Sequence, residues 1–134
     1  MFSILIPSYN NLEYLKICLN SLNKNSRYNH QIIVHVNEGS DGSLQYIKNL
    51  GIDYTYSSNN IGMPKALNLA AKKTKFDYIL ISHDDFYYCP GWDVIFEEEI
   101  NIIKHNNFYL SGTMVGEGQV KFDAGSLVEN FEDR

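Results

Sequence analysis

Asp77-Tyr-Ile-Leu-Ile-Ser-His-Asp-Asp-Phe-Tyr-Tyr-Cys-Pro-Gly-Trp-Asp93 runs from an unbroken apolar stretch straight into two adjacent carboxylates, Asp84 and Asp85. The stretch Tyr78 to Ile81 has no polar alternation, which predicts a strand covered on both faces, as in a parallel sheet. Two carboxylates side by side at a strand end repel each other. A divalent cation that prefers oxygen ligands, Mn2+ or Mg2+, relieves that repulsion. The expectation is a metal site at a strand end, with a phosphate for the metal to serve. The plain alternative is a pair of solvated loop acids. His83 beside them is either a further ligand or a hydrogen-bonded loop residue.

Outward from this segment, short apolar runs alternate with helical periodicity. Phe2 to Ile6, Ile32 to Val36, Tyr54 to Tyr56 and Tyr78 to Ile81 read as strands. Leu12 to Leu22, Leu44 to Leu50 and Ala66 to Lys73 read as the helices between them. The pattern is βαβαβαβ, an α/β fold with a mostly parallel sheet flanked by crossover helices. Asn10, with Glu13 three residues on, resembles a capping box for the first helix, whose buried stripe is Leu12, Leu15, Leu19 and Leu22. Pro64 suits the first turn of the third helix, where its missing N–H costs nothing. A fourth helix follows Pro90-Gly91, with Trp92, Phe96, Ile100 and Ile103 on one face and Glu97, Glu98 and Glu99 mostly outside. Residues 108–115 read as a further strand, and beyond Gly116 the pattern decays.

The chain has 134 residues, 44% of them hydrophobic and 20% charged, the composition of one globular domain. A formal charge of −5 with no Lys/Arg cluster argues against a nucleic-acid partner. No apolar run approaches the roughly 20 residues of a membrane-spanning helix, and no basic segment precedes Phe2-Ser-Ile-Leu-Ile-Pro7 as in an export signal. The expectation is a soluble, cytoplasmic chain. Cys18 and Cys89 have neither zinc-site nor disulfide-framework spacing and read as free thiols.

Ligands of an open parallel sheet bind beyond the carboxyl ends of its strands. Each polar cluster falls at such an end: Pro7-Ser-Tyr-Asn10, Asn37-Glu-Gly-Ser-Asp-Gly42, Asn59-Asn-Ile-Gly62 and His83-Asp-Asp85. Singly, each has a structural reading as a turn or a helix cap. Their convergence carries the functional one. No Gly-x-Gly-x-x-Gly and no Gly-Lys-Ser/Thr is present, so neither a dinucleotide fingerprint nor a P-loop is supported.

In that order, Ser3-Ile-Leu-Ile-Pro-Ser-Tyr-Asn10, Asn37-Glu-Gly-Ser-Asp-Gly-Ser43, Asn59-Asn-Ile-Gly-Met-Pro-Lys-Ala-Leu-Asn68 and Tyr78-Ile-Leu-Ile-Ser-His-Asp-Asp85 resemble the nucleotide-sugar-binding portion of glycosyltransferase family 2, of the Rossmann-like GT-A fold. The resemblance implies that Pro7, Ser8 and Tyr9 contact the nucleoside and that Glu38 reads the base, where the family usually carries Asp. It places the family's Asp-x-Asp on His83-Asp84-Asp85, with Asp85 as the metal ligand and Asp84 on the ribose or a metal-bound water. Leu67 stands where many members have Arg, which leaves Lys65 as the phosphate contact. Phe131-Glu132-Asp133 matches the family's late Glu-Asp pair and makes Asp133 the catalytic base.

The resemblance further implies an inverting transfer from a nucleotide-diphospho-sugar, a UDP-sugar in the first instance, to a hydroxyl of a glycan or lipid-linked acceptor. It implies cell-surface polysaccharide synthesis, at the cytoplasmic face of a membrane. The chain then reads as one domain over residues 1–134, with a donor-binding half at 1–95 and the start of an acceptor half at 96–134. Catalytic domains of the family are longer, which suggests truncation at the C-terminus. A non-catalytic nucleotide- or sugar-binding module is the second reading, and a sugar-nucleotidyltransferase fits less well because its first loop is usually Gly-rich and basic. Oligomeric state stays open.

Overall fold

The computed structural model describes residues 1–112. Four strands and four helices alternate: β1 (Phe2–Tyr9), α1 (Leu12–Asn25), β2 (Gln31–Asn37), α2 (Ser43–Leu50), β3 (Asp53–Ser57), α3 (Met63–Ala71), β4 (Tyr78–Ile81) and α4 (Trp92–Ile102). The strands form one sheet in the order β3-β2-β1-β4, and every pair is parallel. The first three strands end in line, because Tyr9 pairs with Asn37 and Asn37 with Ser57. The fourth joins them through Phe2↔Tyr78 to Leu5↔Ile81, and Ser82 N donates to Leu5 O at 2.9 Å.

The central strands hold the core. Ile4, Ile6, Ile33, Val34 and Val36 are buried, as continuous apolar runs in a doubly covered sheet require. From α1 come Leu15, Leu19 and Leu22, all buried, while Leu12 is half-buried. From α3, Ala70 and Leu67 pack against Leu5 and Ile33. Each large aliphatic side chain so buried contributes about 1.5–3 kcal/mol. Pro64 lies in the first turn of α3.

Three expectations are corrected. At the start of α1 the N-cap is Asn11, and its side chain makes no capping bond. Asn10, at φ 45°, accepts from Ser40 N at 3.0 Å, and Glu13 pairs with Lys16. The free N–H of Leu12 goes instead to Asp41 Oδ2, 2.7 Å away and 29 residues on. Second, β4 is not covered on both faces: among the described residues it is an edge of the sheet, and Ile79 and Ile81 are 50% and 55% exposed. Third, residues 108–112 are irregular, and the rest of the strand expected at 108–115 lies outside the described residues.

The chain divides into two compact units, one of Met1–Asp93 and one opening at Val94. In the first, the fully buried Asp93 closes the structure: its Oδ2 accepts from Arg27 N (2.8 Å), Tyr28 N (2.9 Å) and His30 Nε2 (3.0 Å). His30 Nδ1 accepts from Phe2 N at 3.1 Å, so the neutral ring carries its proton on Nε2. In the second, Phe96, Ile100 and Ile103 are half-buried, and Glu98 and Glu99 are exposed. Cys18 and Cys89 are both free thiols, the first buried and the second exposed. No helix among the described residues is long and apolar enough to cross a membrane.

Candidate functional site

The ends of β1, β2 and β3 are joined by side chains that the sheet register brings level. Buried Asn37 donates through Nδ2 to Ser8 O at 3.4 Å, and its Oδ1 accepts from Ile61 N at 3.0 Å and Ser57 Oγ at 3.2 Å. One carboxamide thus ties strand-end residues to the 59–62 turn. Beneath it, fully buried His35 lies between Thr55 Oγ1 (2.7 Å) and Ser57 Oγ (3.2 Å). Burial holds its pKa below the ordinary 6.5, against the opposing effect of Asn37, so the ring is neutral at neutral pH.

Glu38 and Gly39 follow at φ 62° and 68°, two successive left-handed residues. For a residue with a side chain that conformation costs about 1–2 kcal/mol. It is held by Glu38 N on Ser57 O at 2.8 Å and by Gly39 N on Asn37 O at 2.7 Å. The Glu38 carboxylate accepts from Ser40 Oγ at 3.1 Å. Position 39 has no room for more than glycine, since a Cβ there would lie 2.8 Å from Val36 Cγ1 and 2.9 Å from Leu44 Cβ. Asp41 Oδ1 meanwhile accepts from Ser43 N at 3.0 Å, so this one carboxylate starts both α1 and α2.

After β4 the chain turns at His83, where Phe86 N returns to His83 O at 3.4 Å and the two rings pack 5.0 Å apart. Asp84 is half-buried and Asp85 exposed. Under the turn, the Cys18 thiol donates to His83 O at 3.4 Å. Burial, and then the negative charge of Asp84 and Asp85, push that thiol up to about 12, which keeps it protonated. No group of three or more His, Cys, Asp and Glu among the described residues could hold a metal ion together. What the loop offers is two adjacent carboxylates. That donor set fits a Mg2+ or Mn2+ ion completed by diphosphate oxygens and water, and does not fit an all-protein cage.

Of the residues singled out from sequence, Pro7 is half-buried and Tyr9 is 49% exposed at the end of β1. Ser8 Oγ is buried with no hydrogen-bond partner among the described residues, a state that asks for a further partner. Lys65 is exposed in the first turn of α3, while Leu67, on the same helix, is committed to the core. Asp133 lies outside the described residues. Sequence reasoning missed the roles of Asn37, His35, Ser57 and Asp41. Asn37 and Asp41 stood inside the recognised motif but read as turn chemistry, and nothing local marked His35 or Ser57. A shallow groove beside β3, lined by residues 52–56, Leu69 and Lys73, contains none of the candidates.

Comparison with known proteins converges on one family. The model of Glycosyl transferase family 2 matches residues 3–122. An uncharacterized glycosyltransferase of Rickettsia typhi is 37% identical over 107 residues, 77% of this chain and 32% of that protein. Another, of Rickettsia conorii, is 38% identical over 94 residues, 66% of this chain and 15% of that protein. The chain therefore spans a third or less of these relatives' length. Among solved structures, S. aureus TarS 1-349 has a TM-score of 0.63 at 23% identity, over 75% of this chain and 32% of its own. It has also been solved with UDP and with UDP-GlcNAc. The mannosyltransferase PcManGT of Pyrobaculum calidifontis, in complex with GDP-Man and Mn2+, has a TM-score of 0.59 at 17% identity, over 70% of this chain. At such identities the structural likeness speaks for the fold, which is that of GT-A enzymes. With a match that spans nearly all of its length, this chain belongs to glycosyl transferase family 2.

Proposed function

We propose that the chain forms the donor-binding portion of a metal-dependent inverting glycosyltransferase that uses a nucleotide-diphospho-sugar. One observation carries this reading: four separate strand ends bring Ser8-Tyr9, Asn37-Glu38, the 59–62 turn and Asp84-Asp85 to the same edge of one parallel sheet. Pro7, Ser8 and Tyr9 would receive the nucleoside, with the Ser8 hydroxyl, unpartnered among the described residues, available to it. Glu38, held out by its left-handed backbone, would read the base. Asp84 would meet the ribose or a metal-bound water, Lys65 the phosphates, and Asp85 would hold Mn2+ or Mg2+. When bound, that cation neutralises charge on the departing diphosphate. An acceptor hydroxyl attacks the anomeric carbon as the diphosphate leaves, and its proton passes to a carboxylate, for which Asp133 is the candidate.

Residues 1–95 would be the donor half and 96–134 the beginning of the acceptor half. The UDP and UDP-GlcNAc bound by TarS favour a UDP-sugar, and the Mn2+ in the complex of the mannosyltransferase PcManGT favours that metal. A glycan or lipid-linked acceptor, used for cell-surface polysaccharide at the cytoplasmic face of the membrane, completes the reading. A non-catalytic nucleotide-binding module is the second reading, favoured by Glu38 and His83, which stand where the family has Asp. Calorimetric titration with UDP, GDP, dTDP and CDP, with and without Mn2+, tests the site. Selective Mn2+-dependent binding that Asp85→Ala abolishes is the expected result, and binding unchanged in that variant overturns the site assignment. Slow Mn2+-dependent hydrolysis of the preferred donor would exclude the module reading.

A further inference from the structure

α1 has a second row of residues on its buried side, and it is polar: Cys18, Ser21 and Asn25, all buried. Their spacing of three and four places them on one face of the helix. Polar groups taken from water at a core-facing position cost stability unless something accepts or donates to them. Ser21 Oγ donates to Cys18 O within the helix at 2.8 Å, and each of the three also meets one segment, the loop from Ser82 to Tyr88 that carries Asp84 and Asp85. Ser21 Oγ accepts from Tyr88 N at 3.0 Å, and Asn25 Nδ2 donates to Tyr88 O at 2.7 Å. At the other end of the loop three donors converge on one carbonyl, that of His83. They are Cys18 Sγ at 3.4 Å, Ser82 Oγ at 3.2 Å and Phe86 N at 3.4 Å. Tyr88 OH donates to Ser82 Oγ at 2.5 Å, which completes a relay Tyr88→Ser82→His83 O. The peptide that leads into Asp84 is thereby pinned at its oxygen.

We propose that Cys18, Ser82 and Tyr88 are positioning residues for the metal-and-diphosphate end of the donor site and act through the carbonyl oxygen of His83. The inference rests on the donor-site reading above and adds to it what aims the two carboxylates. The physical reason is specific to this loop. Two like charges on neighbouring residues repel, and an unrestrained turn would let them splay. A carbonyl fixed from three directions removes that freedom before the cation arrives, so binding does not have to supply the ordering.

The test is Mn2+ titration in the presence of UDP, read by calorimetry and by the electron paramagnetic resonance signal of free Mn2+. Cys18→Ala and Ser82→Ala are each expected to weaken Mn2+ binding about tenfold, the size typical when groups that orient metal ligands are removed. Cys18→Ser, which keeps a donor at that position, should recover most of the loss. Tyr88→Phe removes only the hydroxyl and serves if a truncated variant does not fold. Wild-type Mn2+ affinity in Cys18→Ala, Ser82→Ala and Tyr88→Phe overturns the proposal. So does a loss that Cys18→Ser fails to recover, since that would mark a packing role alone. Absence of Mn2+-supported UDP binding in the unaltered protein, with Asp85→Ala indistinguishable from it, overturns the donor-site reading itself and this inference with it.

Discussion

His35 and Gly39 show how single residues set the site. The imidazole of His35 is neutral because burial disfavours its charge, while the unfolded chain takes up a proton at the ordinary 6.5. Stability from this group is therefore present above 6.5 and lost as pH falls below it, since the unfolded state binds the proton first. Urea unfolding followed from neutral to mildly acidic pH should show a falling midpoint, and His35→Gln should flatten that limb. Gly39→Ala would force a left-handed backbone on a residue with a side chain and drive its Cβ into Val36 and Leu44. A loss of about 2–3 kcal/mol is expected in denaturant titration, with weaker nucleotide binding because Glu38 moves. The need for glycine after Glu38 was visible in the motif. The dependence of Glu38 on Ser57 was not, because the two come from different strands.

At the scale of elements, periodicity identified the four helices and four strands of the described residues, and Leu15, Leu19 and Leu22 point into the core as their spacing requires. The start of α1 could not be read in the same way. Asn10 and Glu13 have the right spacing for a local cap, yet the donor of Leu12 finds Asp41 across a loop. Asp41→Ala removes the acceptor of two helix starts at once. It should cost about 1–2 kcal/mol in urea unfolding, with Asp41→Asn losing less. Burial raises the pKa of Asp41, but hydrogen bonds from Ser43 and Leu12 outweigh it and hold the carboxyl below 3.8. Its contribution is therefore lost only as pH falls through that lower value. The exposure of β4 was equally hidden, because an apolar run reads alike in the middle of a sheet and at its edge.

At the scale of the whole molecule, one long-range tie lies within the first unit, where Asp93 accepts from the α1–β2 connection more than 60 residues before it. Burial alone would raise its pKa, but the N–H groups of Tyr28 and Arg27 and the His30 ring hold it below 3.8. Its contribution is present above 3.8 and disappears as pH falls through its lowered folded value. Asp93→Asn should destabilise by about 2–4 kcal/mol in chemical denaturation and shift the acid-unfolding midpoint, because it leaves strong donors facing a weaker acceptor.

By itself the chain's order of apolar runs and turn residues determined an α/β fold, and the four strand-end motifs determined the family, since both are local patterns written along the backbone. The strand order β3-β2-β1-β4, the capping of α1 by Asp41, the Asn37 and His35 network under Glu38 and the Cys18 thiol on His83 O were decided only by the tertiary structure. Each of these joins groups 20 or more residues apart, and their meeting depends on sheet register and packing rather than on sequence spacing.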